Sequence, residues 1–348
     1  MFWELKSVTN FMARLLDESK PPVVIAEVAD AHYGDIERAI QMIHCSKSAG
    51  ADIVKFQHHL PDEEMLPDIP TSSNMQEPLY EFLKRNALTI HQHVVLARVC
   101  EEVGITYLCT PFSLKAAQEL EEAIDPPAYK IGSGELTDIP TLLEIALLEK
   151  PMILSTGMAT VAEIEATYAA LSERVRGLVL LNCTSAYPPR LGDIRLGFIS
   201  RLRDLFPSAV IGHSDHSPSI ATSIASVAFG ARVIEKHVTA DASLQGPDQN
   251  VSISFDELRE LVAGVEVVHA SLGDEKDVLG SEQEIRAWAR RSLVYLVDVP
   301  AGQSLQSDWI WGKRPGTGVP SNRRDDFIGR VLKRHVRANT LLHRSDFE

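Results

Sequence analysis

A (β/α)8 barrel followed by a small β-rich module is the fold class this sequence predicts, and three observations predict it. Short apolar runs suited to buried parallel strands alternate eight times with amphipathic segments of helical spacing. Strict alternation of that kind closes a parallel sheet into a barrel. All eight runs end in polar residues, and barrels of this class place their chemistry at the C-terminal strand ends. After Ser271 the alternation stops, and short strands and turns take over.

Phe2–Asp17 carries Leu5, Phe11, Leu15 and Leu16 at helical spacing and stops before Pro21-Pro22, so residues 1–20 read as a leading helix. Strands are expected at Val23–Val28, Asp52–Phe56, Thr106–Cys109, Ala128–Ile131, Met152–Ser155, Leu178–Cys183, Val210–Gly212 and Val233–His237. Helices are expected at Asp35–Ala49, Leu79–Val103, Leu114–Ala123, Pro140–Glu149, Val161–Arg174, Leu196–Leu205, Ser217–Phe229 and Phe255–His269. The loop His58–Pro78 is long, polar and Pro-rich, as a covering lid would be. Leu272–Glu284 is acidic and lacks an apolar period. The expected organisation is a barrel over 1–271, a linker over 272–290 and a β module over 291–348.

A net charge of −14 excludes nucleic acid and anionic membrane as bulk partners, though not a small anion held by local cations. Cys45, Cys100, Cys109 and Cys183 are scattered within apolar patterns without CxxC spacing, so buried free thiols and a cytoplasmic setting are expected. No run of 18 apolar residues and no basic leader with an apolar core is present.

Val210–Asp248 is the chemical centre of the chain. It reads strand, helix, strand, and each strand ends in a histidine. His216 and His237 stand 21 residues apart, one β-α repeat, so neighbouring parallel strands deliver both imidazoles to one rim. Such a pair begins a divalent-metal site completed by carboxylates or waters. Lys55 and Lys130 bring two cations to the same rim, and Ser133, Ser155 and Ser214 add hydroxyls beside glycine-bearing turns, a set that suits a phosphate or carboxylate. Any one of these residues alone reads as a loop cap or a satisfied core group. Together they point to an anionic, phosphorylated substrate reacting with a carbonyl compound.

The ordered motifs carry a resemblance. They are A-E-V at Ala26, V-K-F-Q at Val54, T-P-F at Thr110, Y-K-I-G-S-G-E at Tyr129 and L-S-T-G-M at Leu154. C-T-S-A-Y-P at Cys183, G-H-S-D-H at Gly212, E-K-H at Glu235, G-P-D at Gly246 and K-R-P-G at Lys313 follow. From about Val23 to the C-terminus the chain resembles the sialic acid synthase family, which includes the spore coat polysaccharide biosynthesis protein E group. The last motif resembles its C-terminal antifreeze-like (SAF) domain.

The resemblance implies condensation of phosphoenolpyruvate with an N-acyl amino sugar such as N-acetylmannosamine, giving a nine-carbon 2-keto-3-deoxy acid and phosphate for surface polysaccharide. His216 and His237 would ligate Mn²⁺, with Mg²⁺ or Co²⁺ as substitutes. Lys55 and Thr110 would take the phosphoenolpyruvate carboxylate, and Lys130, Ser133, Ser155, Ser214 and Ser185 its phosphate. Glu27, Gln57, Asn74, Tyr187 and Asp248 would orient the sugar and a water, with Glu27 or Glu235 moving the proton. Arg314 would reach the sugar's N-acyl end in a domain-swapped homodimer.

Ala29 and Ala31 stand where relatives carry Gly and Asn, and Ser185 where the best-known members carry Asn, which bears on the acceptor more than on the reaction type. Of His58-His59, at most one is expected to point inward, and His91 and His93 are expected in solvent. Two other readings fit the same residues: the same chemistry on another or phosphorylated aldose, and a barrel that binds sugar or phosphate without turnover.

Overall fold

The computed structural model describes residues 8–71, 75, 77–241, 243 and 246–347. Eight parallel strands close into a barrel in sequence order, the fold class expected. They are β1 Val23–Glu27, β2 Ile53–His58, β3 Thr106–Pro111, β4 Tyr129–Ile131, β5 Met152–Ser155, β6 Leu178–Cys183, β7 Val210–Asp215 and β8 Val233–His237. β1 meets β2 with Glu27 opposite Lys55, and β8 closes on β1 with His237 opposite Glu27.

Side chains alternate across each strand, which sorts the apolar residues into two cores. Val24, Ala26, Val54, Phe56, Tyr129 and Leu154 pack outward against the helices. Val23, Ile25, Ile53, Leu108, Ile153, Val179 and Leu181 fill the barrel. Following the inner set toward the C-terminal strand ends, apolar gives way to polar: Glu27 after Ile25, Lys55 and Gln57 after Ile53, Thr110 after Leu108, Ser155 after Ile153. A one-residue slip would send all of these into the helix layer. Gly212 holds an inner position with no space to spare, since a Cβ there would meet a Leu181 methyl at 2.6 Å.

The N-terminal helix, Val8–Leu16, buries Phe11 and Leu15 against the inner apolar core, at the end where the strands begin. Arg232 clamps its C-terminus, donating to the carbonyls of Leu15, Asp17 and Lys20 at 3.3, 2.6 and 2.9 Å. The bond to Leu15 satisfies a carbonyl that the helix end leaves open, and the other two pin the turn that follows it.

Caps set the other helix boundaries. Asp35 accepts from Glu37 N and Arg38 N to start Ile36–Ala49, and Gly50 ends it at φ 94°. The single helix expected over Leu79–Val103 is two, Leu79–Asn86 and Ile90–Val103, because Thr89 and Gln92 form a reciprocal cap that opens the second. The helix after β7 shrinks to Ala221–Ser226, since the Ser217 hydroxyl donates to the Ser219 carbonyl and holds the preceding residues in a turn.

Met1–Gly273 and Asp274–Glu348 form two compact units. The stretch expected as a linker over 272–290 is corrected within the second unit: Gln283–Ala289 is helical. The carbonyls of Ala287 and Ala289 accept from Gly316 N and Arg314 Nε, so this helix is tied to the small module. β9 Ser292–Tyr295 and β10 Ile310–Lys313 pair antiparallel over a core that includes Leu293, Tyr295, Leu305, Phe327 and Leu342. Among the described residues no helix is long and apolar enough to cross a membrane.

Candidate active site

Lys55 is the hub of the polar end of the barrel. Its Nζ lies 2.8 Å from Glu27 Oε2 and 3.3 Å from Glu235 Oε2, and donates to Thr110 Oγ1 at 3.2 Å. Lys130 Nζ donates to Ser155 Oγ at 2.8 Å and to the Ile131 carbonyl at 2.9 Å, and lies 3.8 Å from Glu235 Oε1. Ser214 Oγ donates to that same Glu235 oxygen at 3.0 Å. None of the four charged residues exceeds 3% exposure, so each ion depends on its partners to offset desolvation.

That balance sets their proton affinities. Burial pushes Glu27 up to about 7, with Lys55 opposing and Glu235 adding. Burial acts on Glu235 too, but Lys130 and Lys55 outweigh it and hold the carboxyl low. Lys130 is lowered by burial, which Glu235 only partly offsets.

A second corner collects hydroxyls. Gly157 N donates to Ser133 Oγ at 3.1 Å, and Ser133 Oγ donates to Cys183 Sγ at 3.7 Å. A Cβ on Gly157 would collide with the Ser185 hydroxyl and come within 2.7 Å of Ser133 Oγ, so both serines crowd one glycine turn.

The two histidines do meet. The rings of His216 and His237 are 5.3 Å apart between centroids, and Tyr187 stacks on His216 at 4.3 Å and meets His237 edge-on at 6.2 Å. His216 Nδ1 lies 2.9 Å from the Thr184 carbonyl, which can only accept, so Nδ1 carries hydrogen and Nε2 is left for a ligand. Burial resists charge on His216, but Cys183 as a thiolate 3.8 Å from Nδ1, helped by the Thr184 carbonyl and Asp248, outweighs it and pushes the ring up to about 9. A cation must therefore displace a proton there.

Burial, then His216 and the lysines, hold His237 neutral, and its buried Nδ1 has no hydrogen-bond partner among the described residues. Asp248 Oδ2 lies 3.8 Å from that atom. Burial and Asp30 push the Asp248 carboxyl up to about 7, with His216 opposing. Among the described residues no group of three or more His, Cys, Asp or Glu is arranged to hold a metal. Two imidazoles, one with an orphaned nitrogen, still fit an ion whose other positions go to water or substrate, the open pattern of a catalytic site.

Of the expected residues, Glu27, Lys55, Thr110, Lys130, Ser155, Ser214 and Glu235 form one linked network, and Gln57 joins it by donating to Glu27 Oε1 at 2.8 Å. Ser133 and Ser185 make the hydroxyl corner, and Tyr187, His216, His237 and Asp248 make the ring cluster. Asn74 lies outside the described residues. Arg314 belongs to the second unit, where its guanidinium sits 5.0 Å over the Trp288 ring.

The expectation for His93 is corrected. It is fully buried, with Nδ1 2.8 Å from Tyr107 OH, because it faces the barrel from the first turn of its helix. His58 turns outward to His93 and Glu119, while His59, one residue on, turns into the mouth between Gln57 and Glu64. Sequence reasoning missed His59 and Glu64, although the shared parity of Lys55, Gln57 and His59 was there to be read.

The profile of the NeuB family matches residues 42–277, and that of the SAF domain matches residues 290–348. The chain is 33% identical over 334 residues to an N,N'-diacetyllegionaminic acid synthase of Campylobacter jejuni, covering 93% of this chain and 99% of that one. It is 34% identical over 296 residues to the N-acetylneuraminate-9-phosphate synthase of Homo sapiens, covering 83% and 82%. The crystal structure of an N-acetylneuraminic acid synthetase from Leptospira borgpetersenii in complex with citrate matches it with a TM-score of 0.70 at 30% identity, over 76% of this chain and 90% of that one.

Proposed function

The chain belongs to the NeuB family of phosphoenolpyruvate-dependent condensing enzymes, and from that membership we propose that it joins phosphoenolpyruvate to an N-acyl amino-sugar aldose, giving a nine-carbon 2-keto-3-deoxy acid of the sialic type and phosphate. One observation supports this above the others. Two buried lysines, Lys55 and Lys130, share Glu235 at the rim, each also donating to a hydroxyl. An incoming dianion can take over those donors.

In this reading the phosphoenolpyruvate carboxylate takes Lys55 and Thr110. Its phosphate takes Lys130, Ser133, Ser155 and Ser214, with Ser185 beside them. The methylene carbon of phosphoenolpyruvate bonds to the aldehyde carbon, whose oxygen gains a proton. Water adds at the adjacent, phosphate-bearing carbon and gives up a proton, and that carbon's bond to the phosphate oxygen breaks as the ketone forms and phosphate leaves. Glu27, its carboxyl pushed up to about 7, has an affinity suited to exchanging a proton at neutral pH, with Glu235 next to it as the ionised counterpart. Gln57, Tyr187 and Asp248 are assigned to orienting the acceptor and the water.

His216 and His237 would hold Mn²⁺ or a similar ion, which when bound supplies polarisation of a carbonyl oxygen. Arg314 is assigned to the acceptor's acyl end across a domain-swapped homodimer, on family resemblance alone.

Phosphate release from phosphoenolpyruvate, measured against N-acyl hexosamines bearing one or two acylamino groups and their phosphorylated forms, with and without Mn²⁺, tests the proposal. Acceptor-dependent release that needs the metal is expected. Phosphoenolpyruvate binding with no release for any acceptor would favour a barrel without turnover.

A further inference from the structure

We propose that His59 is a positioning residue, held as an imidazolium between Glu64 and Gln57, and that it fixes the Gln57 amide so that its NH₂ faces Glu27. The kinetic consequence rests on the synthase reading; the charge state does not.

The argument begins with parity. Lys55, Gln57 and His59 occupy alternate positions and share a face, while His58 turns the other way. His59 is 7% exposed, and its ring lies over Phe112 with centroids 4.2 Å apart and planes 17° from parallel. That stack fixes the ring plane and directs both nitrogens at partners: Nε2 is 2.9 Å from Gln57 Oε1, and Nδ1 is 2.9 Å from Glu64 Oε2.

Donor counting then sets the charge. Gln57 Nε2 donates to Glu27 Oε1 at 2.8 Å, which leaves the Gln57 carbonyl oxygen facing His59. Glu64 Oε1 accepts from Leu60 N, which leaves Oε2 to face the ring. The Gln57 carbonyl oxygen cannot donate to the ring, and a Glu64 carboxylate cannot either, so with both as acceptors both ring nitrogens carry hydrogen.

The surroundings agree. Asp30 from the loop after β1, Glu64 from the turn that follows and Glu135 from the loop after β4 all favour the cation, and together they outweigh burial and the neighbouring His32 and His58.

The consequence lies one residue away. Turned over, the Gln57 amide would set its oxygen against the Glu27 carboxylate, two acceptors face to face. A cationic donor on the far side of the amide forbids that orientation. His59 thus acts through Gln57 on Glu27, without touching the reactants.

Full-length protein labelled with ¹⁵N at histidine tests the charge state. At pH 7.5 without metal the His59 ring should show both nitrogens protonated, alongside the imidazolium of His216, and His59→Phe should remove the one signal that added Mn²⁺ leaves in place. Glu64→Gln keeps an acceptor at Nδ1 but removes the charge, so the signal should disappear at lower pH. A neutral tautomer at His59 in the unaltered protein would overturn the proposal.

Phosphate release tests the positioning. His59→Phe keeps the stack on Phe112 without donors, and its kcat should fall about 10- to 100-fold, the scale of one hydrogen bond to a charged group. KM for phosphoenolpyruvate should change less than about threefold, since Lys55 and Lys130 are untouched. His59→Gln, which can still donate to Gln57, should recover part of the loss. Equal losses in both variants, or a loss confined to KM, would refute it. If the unaltered protein releases no phosphate with any acceptor, the synthase reading fails while the nitrogen spectra still decide the state of His59.

Discussion

Replacing Gly157 with alanine adds one methyl group where the hydroxyl corner has no room for it. The new Cβ would stand 2.7 Å from Ser133 Oγ and 3.2 Å from Ser133 Cβ, and would collide with Ser185 Oγ. Gly157 does not use a left-handed conformation, so its backbone accepts alanine and the conflict is confined to the two serines. Both must rotate away, and Ser133 loses the geometry in which it accepts from Gly157 N at 3.1 Å. A hydrogen bond to a charged group contributes about 1.5–3 kcal/mol, so losing one aligned hydroxyl should raise KM for phosphoenolpyruvate roughly 10- to 100-fold. Crowding of this size costs about 1–3 kcal/mol of stability, or a few degrees in Tm. Gly134→Ala is the matched control, because nothing lies within 4 Å of a Cβ at that position in the same loop as Ser133. Initial rates of phosphate release at varied phosphoenolpyruvate and saturating acceptor measure the effect, and thermal melts measure the strain. If Gly157→Ala leaves KM within threefold, or Gly134→Ala raises it equally, the hydroxyl corner does not hold the phosphate.

Three further outcomes are expected. His237→Ala should abolish Mn²⁺-dependent phosphate release while the metal-free protein stays folded, since no hydrogen bond at Nδ1 to a described residue is lost and the cost is the space left beside Tyr187 and His216; full activity would remove the residue from the metal site. Asp248, pushed up to about 7 when folded against 3.8 as a free side chain, stabilises the fold below about pH 4 and loses that contribution as pH rises through 7. Asp248→Asn should therefore be more stable than the parent at pH 8, by roughly 2–4 kcal/mol at about 1.4 kcal/mol per unit, with the gap closing toward pH 4.5. Urea midpoints of the metal-free proteins read this, and a gap independent of pH contradicts it. Arg232→Ala, which strips three bonds from the end of the N-terminal helix, should lower stability by about 2–4 kcal/mol without altering KM for phosphoenolpyruvate; a changed KM would mean that the floor of the barrel shapes the site.

The barrel was legible because alternation at two scales agrees: strand with helix along the chain, and inward with outward along each strand. Once Lys55 is placed inward, parity puts Gln57 beside it and His237 beside Glu235. The same rule reaches His59, yet an adjacent pair of histidines could not be assigned until the turn Pro61–Glu64 brought a carboxylate back to it. His93 looked solvated because its burial is created by Tyr107 and His58, residues from two strands. The Thr89–Gln92 cap was present as text, but the apolar period continuing across it favoured one long helix. Gln283–Ala289 was hidden by the acidic composition before it and by having only Ile285 and Trp288 as large apolar residues.

Phe11 and Leu15 fill the barrel at the strand starts, with Arg232 bonded to the Leu15 carbonyl, so among the described residues the polar rim is the face left for arrival and departure. On the synthase reading reactants would form a queue. The small anion would reach the lysines first and the bulkier sugar would shut it in, so labelled phosphoenolpyruvate should exchange ever more slowly with the bulk as acceptor concentration rises.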